Sequence, residues 1–123
     1  MKKTLLICSL VALISCDQQL KEYTGPKYVV QTTVQIKDGT TSEVLALFKS
    51  TNPELVKNEE DWIRASFASD EDKNMVTVRA VWKSKESYLS FANSDKFKNT
   101  MASFSTYFES RPEVSISEIL FEM

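Results

Sequence analysis

The stretch Asp61 to Tyr88, DWIRASFASDEDKNMVTVRAVWKSKESY, decides the fold. It holds two runs of alternating apolar and polar residues, a short charged turn between them, and a helix start. In the first run, Trp62 to Ala68, the residues Ile63, Ala65 and Phe67 share one parity. In the second, Met75 to Trp82, so do Val76, Val78, Ala80 and Trp82. A period of two places each set on one face of a strand. Ser69 to Asn74 is polar and charged, so the two runs predict an antiparallel hairpin. Ser84 follows directly as an N-cap, its hydroxyl free to accept from an unpaired N–H of the first turn.

Outward from the hairpin the same logic continues. Toward the N-terminus, Tyr28, Val30, Thr32, Val34 and Ile36 alternate with Val29, Gln31, Thr33 and Gln35, which predicts a strand ending at Lys37-Asp38-Gly39. Thr40 and Glu43 have the spacing of a capping box, and Val44, Leu45, Leu47 and Phe48 give the helix that follows an apolar side. Asn52-Pro53 is expected to break that helix, with Pro53 opening a second short piece through Leu55-Val56. Toward the C-terminus, Tyr88 and Phe91 mark one helical piece and Asn93-Ser94-Asp95 a restart. Phe97, Met101, Phe104 and Phe108 then form a single stripe at i, i+4, i+7 and i+11. Arg111-Pro112 ends it. Val114 to Met123 reads as a last strand whose phase slips, which predicts a bulge near Ser117-Glu118.

The order is strand, helix, hairpin, helix, strand. That is the split β-α-β, ferredoxin-like α+β arrangement, βαββαβ, with helices on one face of a four-stranded antiparallel sheet. The other face carries Val29, Met75 and Val81. The simplest cover for it is a second copy of the chain in a homodimer.

The first sixteen residues have a different character. Met1-Lys2-Lys3-Thr4 is a basic start, Leu5 to Ile14 an apolar run too short to span a bilayer, and Leu13-Ile14-Ser15-Cys16 places a cysteine behind small and apolar residues. This order resembles a bacterial lipoprotein signal peptide that ends in a lipobox. The resemblance implies a signal peptide over residues 1–15 and a lipid on Cys16. It further implies a polar tether over 16–27, a domain over 28–123, and a place in the bacterial cell envelope as a membrane-anchored lipoprotein.

Composition narrows the chemistry. The chain has 123 residues, enough for one domain. Removing Lys2 and Lys3 with the signal leaves 13 basic residues against 17 acids, a net charge of about −4. No basic patch stands out, so nucleic acid is not an expected partner. Cys8 lies in the signal and Cys16 is left alone, which excludes an intramolecular disulfide. There is no histidine, so no Ser-His-Asp triad, Cys-His pair or histidine metal site exists. The acid clusters Glu59-Glu60-Asp61 and Asp70-Glu71-Asp72 read as solvated loop charge, and no metal or other cofactor is expected.

The residues Asp61 to Phe67 with their charged turn, then Val81-Trp82-Lys83-Ser84-Lys85-Glu86-Ser87-Tyr88, Phe91 and Ser94-Asp95-Lys96-Phe97, resemble the antibiotic biosynthesis monooxygenase domain of the dimeric α+β barrel superfamily. The resemblance spans Tyr28 to Met123. Members of that family include cofactor-free oxygenases of quinols or polycyclic phenols, heme-degrading monooxygenases and many proteins of unknown role, and the shared fold does not settle which this chain is. The heme-degrading branch uses an asparagine, a tryptophan and a histidine; here Thr32, Phe91 and Met101 hold those places. The expected reading is therefore a cofactor-free oxygenase of small aromatic or quinol-type substrates. Its pocket is expected near Thr32, Trp82, Tyr88, Phe91, Met101 and Phe104, with Glu118 as the one acid to turn inward. The alternative is a non-catalytic lipoprotein that binds a small apolar or aromatic ligand, heme included. Enzyme or binder is left open at this stage.

Overall fold

The computed structural model describes residues 23–123. The signal peptide, Cys16 and the first part of the tether lie outside the described residues. Four strands, β1 (Tyr28–Gln35), β2 (Trp62–Asp70), β3 (Met75–Trp82) and β4 (Glu113–Glu118), form one antiparallel sheet in the order β2-β3-β1-β4. Three helices, α1 (Thr41–Val56), α2 (Lys85–Ala92) and α3 (Asp95–Phe104), cover one face. A short 3₁₀ turn, Ser105–Tyr107, follows α3. The strand order is that of the ferredoxin-like fold.

The inward parity of β1 and β3 builds the core. Val34, Ile36, Val44, Val76 and Phe104 bury together under α1 and α3. Val30, Trp82 and Tyr88 bury together under α2. Full burial of such a side chain contributes roughly 1.5–3 kcal/mol, so these few positions carry much of the fold's stability. The helix starts are set by serines. Ser84 Oγ accepts from Ser87 N–H at 3.1 Å and Ser94 Oγ from Phe97 N–H at 3.2 Å.

Five local expectations are corrected. First, Pro53 does not break α1, which runs unbroken to Val56. Proline removes one N–H and crowds the carbonyl four residues back, but tertiary packing of the flanking turns outweighs that cost. Second, Thr40 does not cap α1. Its hydroxyl donates to the Lys37 carbonyl at 2.6 Å, tightening the turn in which Gly39 sits at φ +76°. Third, Phe108 is not on the helix. The chain turns extended there and bridges Ile36 of the sheet. Fourth, the bulge is in β2 and not near Ser117-Glu118. Trp62 pairs with Trp82 and Arg64 with Val81, leaving Ile63 as the extra residue. That bulge, rather than simple alternation, brings Trp62 onto the same face as Ala65 and Phe67. Fifth, β4 keeps an even register to Glu118 and the last strand stops there, short of Met123.

Candidate functional site

A cavity of about 360 Å³ lies between the inner sheet face and the helices. That is near the small end of the ~300–1,000 Å³ range of ligand sites. Thr32, Trp82, Tyr88, Phe91, Met101 and Phe104 all stand on its wall. Register explains how they meet. Thr32 of β1 pairs with Val78 of β3 on one side and Val114 of β4 on the other, so its side chain faces inward at the middle of the sheet. Trp82 ends β3, and the serine-capped corner swings α2 back so that Tyr88 and Phe91 cover the indole. Their ring centroids lie 5.8 and 5.0 Å from it. Ser94 Oγ also donates to the Phe91 carbonyl at 2.6 Å, which bends the chain into α3 and sets Phe97 5.1 Å from Phe91. Met101 and Phe104 descend from α3 onto the other half of the cavity.

Sequence reasoning missed four wall residues with polar groups: Thr51, Asn52, Trp62 and Thr100. Asn52 looked like a helix breaker, and Trp62 reaches the wall only because of the bulge at Ile63. Thr51 and Thr100 are spent on their own helices, their hydroxyls donating to the carbonyls of Leu47 and Lys96 at 2.7 and 2.9 Å. Glu118 is corrected: it is exposed at the sheet edge opposite Tyr28 and does not reach the wall.

Among the described residues the wall carries no Asp, Glu, Lys or Arg. Its polar groups are uncharged hydroxyls, one amide and indole N–H groups. Trp82 is 1% exposed, and its Nε1–H has no hydrogen-bond partner among the described residues. An unpaired buried donor costs about 1–3 kcal/mol, so its retention calls for an explanation. Tyr88 is 8% exposed, and burial pushes its hydroxyl pKa up, which keeps the proton on oxygen. The arrangement can enclose an uncharged or weakly charged molecule among aromatic and aliphatic side chains. It has no strong base of its own.

Asp61 fixes this end of the cavity from outside. Its carbonyl accepts from Lys83 N–H at 2.7 Å, and its carboxylate accepts a short hydrogen bond from Ser87 Oγ. One residue thus ties the start of β2 to the β3–α2 corner, with Trp62 on one side and Trp82 on the other. Its neighbours Glu59 and Glu60 line a separate polar cleft behind Trp82 together with Asn58, Ser87 and Ser90. Among the described residues no group of three or more His, Cys, Asp or Glu is placed to hold a metal ion.

Sheet order, helix placement and an uncharged cavity beneath the helices define a class of small α+β proteins. The antibiotic biosynthesis monooxygenase family model matches residues 27–103, and the chain belongs to that family. No curated protein matches it. Solved structures show the same fold. SnoaB, a cofactor-independent oxygenase from Streptomyces nogalater, aligns at 12% identity with a TM-score of 0.66, over 79% of this chain and 96% of that one. A conserved protein from Methanosarcina mazei aligns at 24% identity with a TM-score of 0.65, over 75% and 91%. A Nitrosomonas europaea protein assigned to the same monooxygenase class aligns at 11% identity with a TM-score of 0.68, over 82% and 97%.

Proposed function

We propose that the chain is a lipid-anchored envelope protein whose cavity binds a small aromatic of the quinol or phenol type and oxygenates it without a cofactor. The observation that carries this reading is the wall: among the described residues it has no charged side chain, and aromatic and aliphatic groups with the Tyr88 hydroxyl enclose the cavity. SnoaB, of like fold, is a cofactor-independent oxygenase. In such chemistry the substrate supplies the electrons. It loses a proton, gives an electron to dioxygen, and recombines with the reduced oxygen. One oxygen atom ends as a carbonyl on a ring carbon and the other leaves as water with the two hydrogens the substrate loses, both from a CH₂ in an anthrone, one from carbon and one from the hydroxyl in a phenol. This protein's residues hold the ring between Phe91, Met101 and Phe104 and exclude water. Tyr88 is the candidate hydroxyl donor to the oxygen on which negative charge grows. With no base on the wall, the substrate's own ionisation sets the pH dependence.

Heme does not fit the residues present. Its two propionates would press on a wall without Lys or Arg, and Met101 sulfur packs with the core around Val34 and Phe104. The anchor reading rests on Lys2-Lys3, the apolar run Leu5 to Ile14, and Leu13-Ile14-Ser15-Cys16. The homodimer reading rests on the sheet face opposite the helices, where Val29 and Met75 stay half-exposed beside the polar pair Thr33 and Thr77.

The test is oxygen uptake by the purified protein with a panel of anthrones and hydroquinones. Uptake above the uncatalysed rate is expected, with a product that has gained one oxygen and lost two hydrogens. The rate should follow the pKa of each substrate. Tight binding of the panel with no uptake would leave a ligand-binding protein and end the oxygenase reading.

A further inference from the structure

The sheet face opposite the helices is too polar to hold a second copy by itself. Register places Gln31, Thr33, Ser66, Thr77, Arg79 and Ser115 on it. Its apolar residues are few: Val29 and Met75 stay half-exposed, and Val81 is already down to 7% exposure. A standard interface removes about 800 Å² from each partner around an apolar centre. The missing apolar surface lies just beyond β4, where Phe121 and Met123 are 79% and 110% exposed.

The tail that carries them lies over that same face. Ile119 N–H donates to the Lys27 carbonyl at 2.8 Å, beside the point where the chain enters β1. The Glu122 carboxylate then holds Lys27 Nζ at 3.2 Å and Arg64 Nη2 at 2.9 Å. Arg64 pairs with Val81, and Val81 with Val29, so Arg64 stands on this face in β2, across β3 from Lys27. The tail therefore crosses from the β4 edge toward β2, over Val81. Glu122 faces the sheet and so, by alternation, does Leu120; Phe121 and Met123 face away from it. Among the described residues no backbone hydrogen bond ties 120–123 to the rest of the chain. Exposed ion pairs are weak, so the tail is aligned on the face without being packed down on it.

We propose that residues 119–123 are a clasp for the second copy: Phe121 and Met123 of each chain are buried against the other chain, and Glu122 sets them there by gripping Lys27 and Arg64 of its own sheet. The proposal rests on the homodimer reading and adds to it which residues hold the copies together. A two-fold interface uses the same patch on both copies, so both tails enter it. The four side chains together remove on the order of 600 Å² of apolar surface, a large part of what a stable interface needs. Lys27 and Arg64 are already engaged by Glu122, so covering the tail leaves neither cation unpaired.

The test uses the 17–123 chain, which holds every strand, helix and core residue of the fold, in sedimentation equilibrium over a range of concentrations. A dimer is expected. Phe121→Asp, at a position exposed enough to spare folding, should weaken it about a hundredfold or more, since two buried rings are lost per dimer. Glu122→Gln keeps the apolar groups and loosens the grip, and should weaken it by less than about tenfold. Leu89→Asp, the same kind of change at a 42% exposed position of α2, should leave it unchanged. Phe121→Trp adds an indole whose shielding from acrylamide should rise with concentration along the same curve as the dimer. A dimer that Phe121→Asp leaves intact, or an added indole equally open to acrylamide in monomer and dimer, overturns the clasp and keeps the homodimer. A chain that stays monomeric at every concentration overturns both.

Discussion

The two halves of the core are built alike and used differently. Under α1 and α3, the buried cluster Val34, Ile36, Val44, Val76 and Phe104 is purely apolar. Under α2, the cluster Val30, Trp82 and Tyr88 carries an indole N–H with no partner and a protonated phenol. Burial alone accounts for the first half. In the second, some stability is given up where the Trp82 N–H is buried without a partner among the described residues. The difference teaches that the two halves line one cavity with unlike surfaces, purely apolar under α1 and α3 and partly polar under α2.

The largest effect should come from the apolar half. Phe104→Ala should cost about 3–5 kcal/mol in urea unfolding, by lost burial and the enlarged void. A loss under about 1 kcal/mol would mean that the α3 side of the core is loosely packed and the contrast is false. Next comes the tie that holds the polar half. Asp61→Ala removes the acceptor of the Ser87 hydroxyl and should cost about 1–2 kcal/mol. Asp61→Asn keeps an acceptor oxygen and should restore most of it. Near-UV circular dichroism of Trp62 and Trp82 should change in the alanine variant and not in the asparagine one.

Trp82→Phe is expected to behave unlike any change in the apolar half. It loses ring area but also removes the unpaired donor, so stability should move by no more than about 1 kcal/mol. Affinity for a quinone-type ligand should fall about tenfold in a fluorescence titration, close to one hydrogen bond's worth. Unchanged affinity would show that the orphan N–H has no part in binding.

The smallest effects are those of pH. Lys27 and Arg64 lower the pKa of Glu122 below the ordinary carboxylate value. Its contribution is present above that value and is lost as pH falls through the lowered one. Glu122→Gln should thus flatten the acid limb of a thermal-melting profile slightly. Tyr88 has the opposite sign. Burial raises its pKa, so its contribution holds below the ordinary phenol value near ~10 and is lost as pH rises through the raised one. Tyr88→Phe should remove an alkaline limb.

Much of this was legible in the linear chain. The six wall residues Thr32, Trp82, Tyr88, Phe91, Met101 and Phe104 sit at inward strand parity or on helix faces, and these periodicities are local. Ser84 and Ser94 were equally plain, since a cap needs only its own next three residues. The illegible parts are those in which distant segments decide. Whether Pro53 breaks α1 depends on what the flanking turns pack against. Whether Trp62 faces inward depends on one extra residue in β2, placed by pairing with β3. The tie between Asp61 and Ser87 joins residues twenty-six positions apart, and no periodicity announces it.

By itself, then, the sequence determined the element order, the inward faces, the want of histidine chemistry and the family. Each rests on alternation, on spacing of a few residues, or on composition. Only the tertiary structure decided that the wall is free of charge, that Trp82 Nε1 goes unpaired, that Glu118 stays outside, and that the tail lies beside the entry to β1. Those facts depend on strand register and helix docking, which are set by the packing of the whole chain.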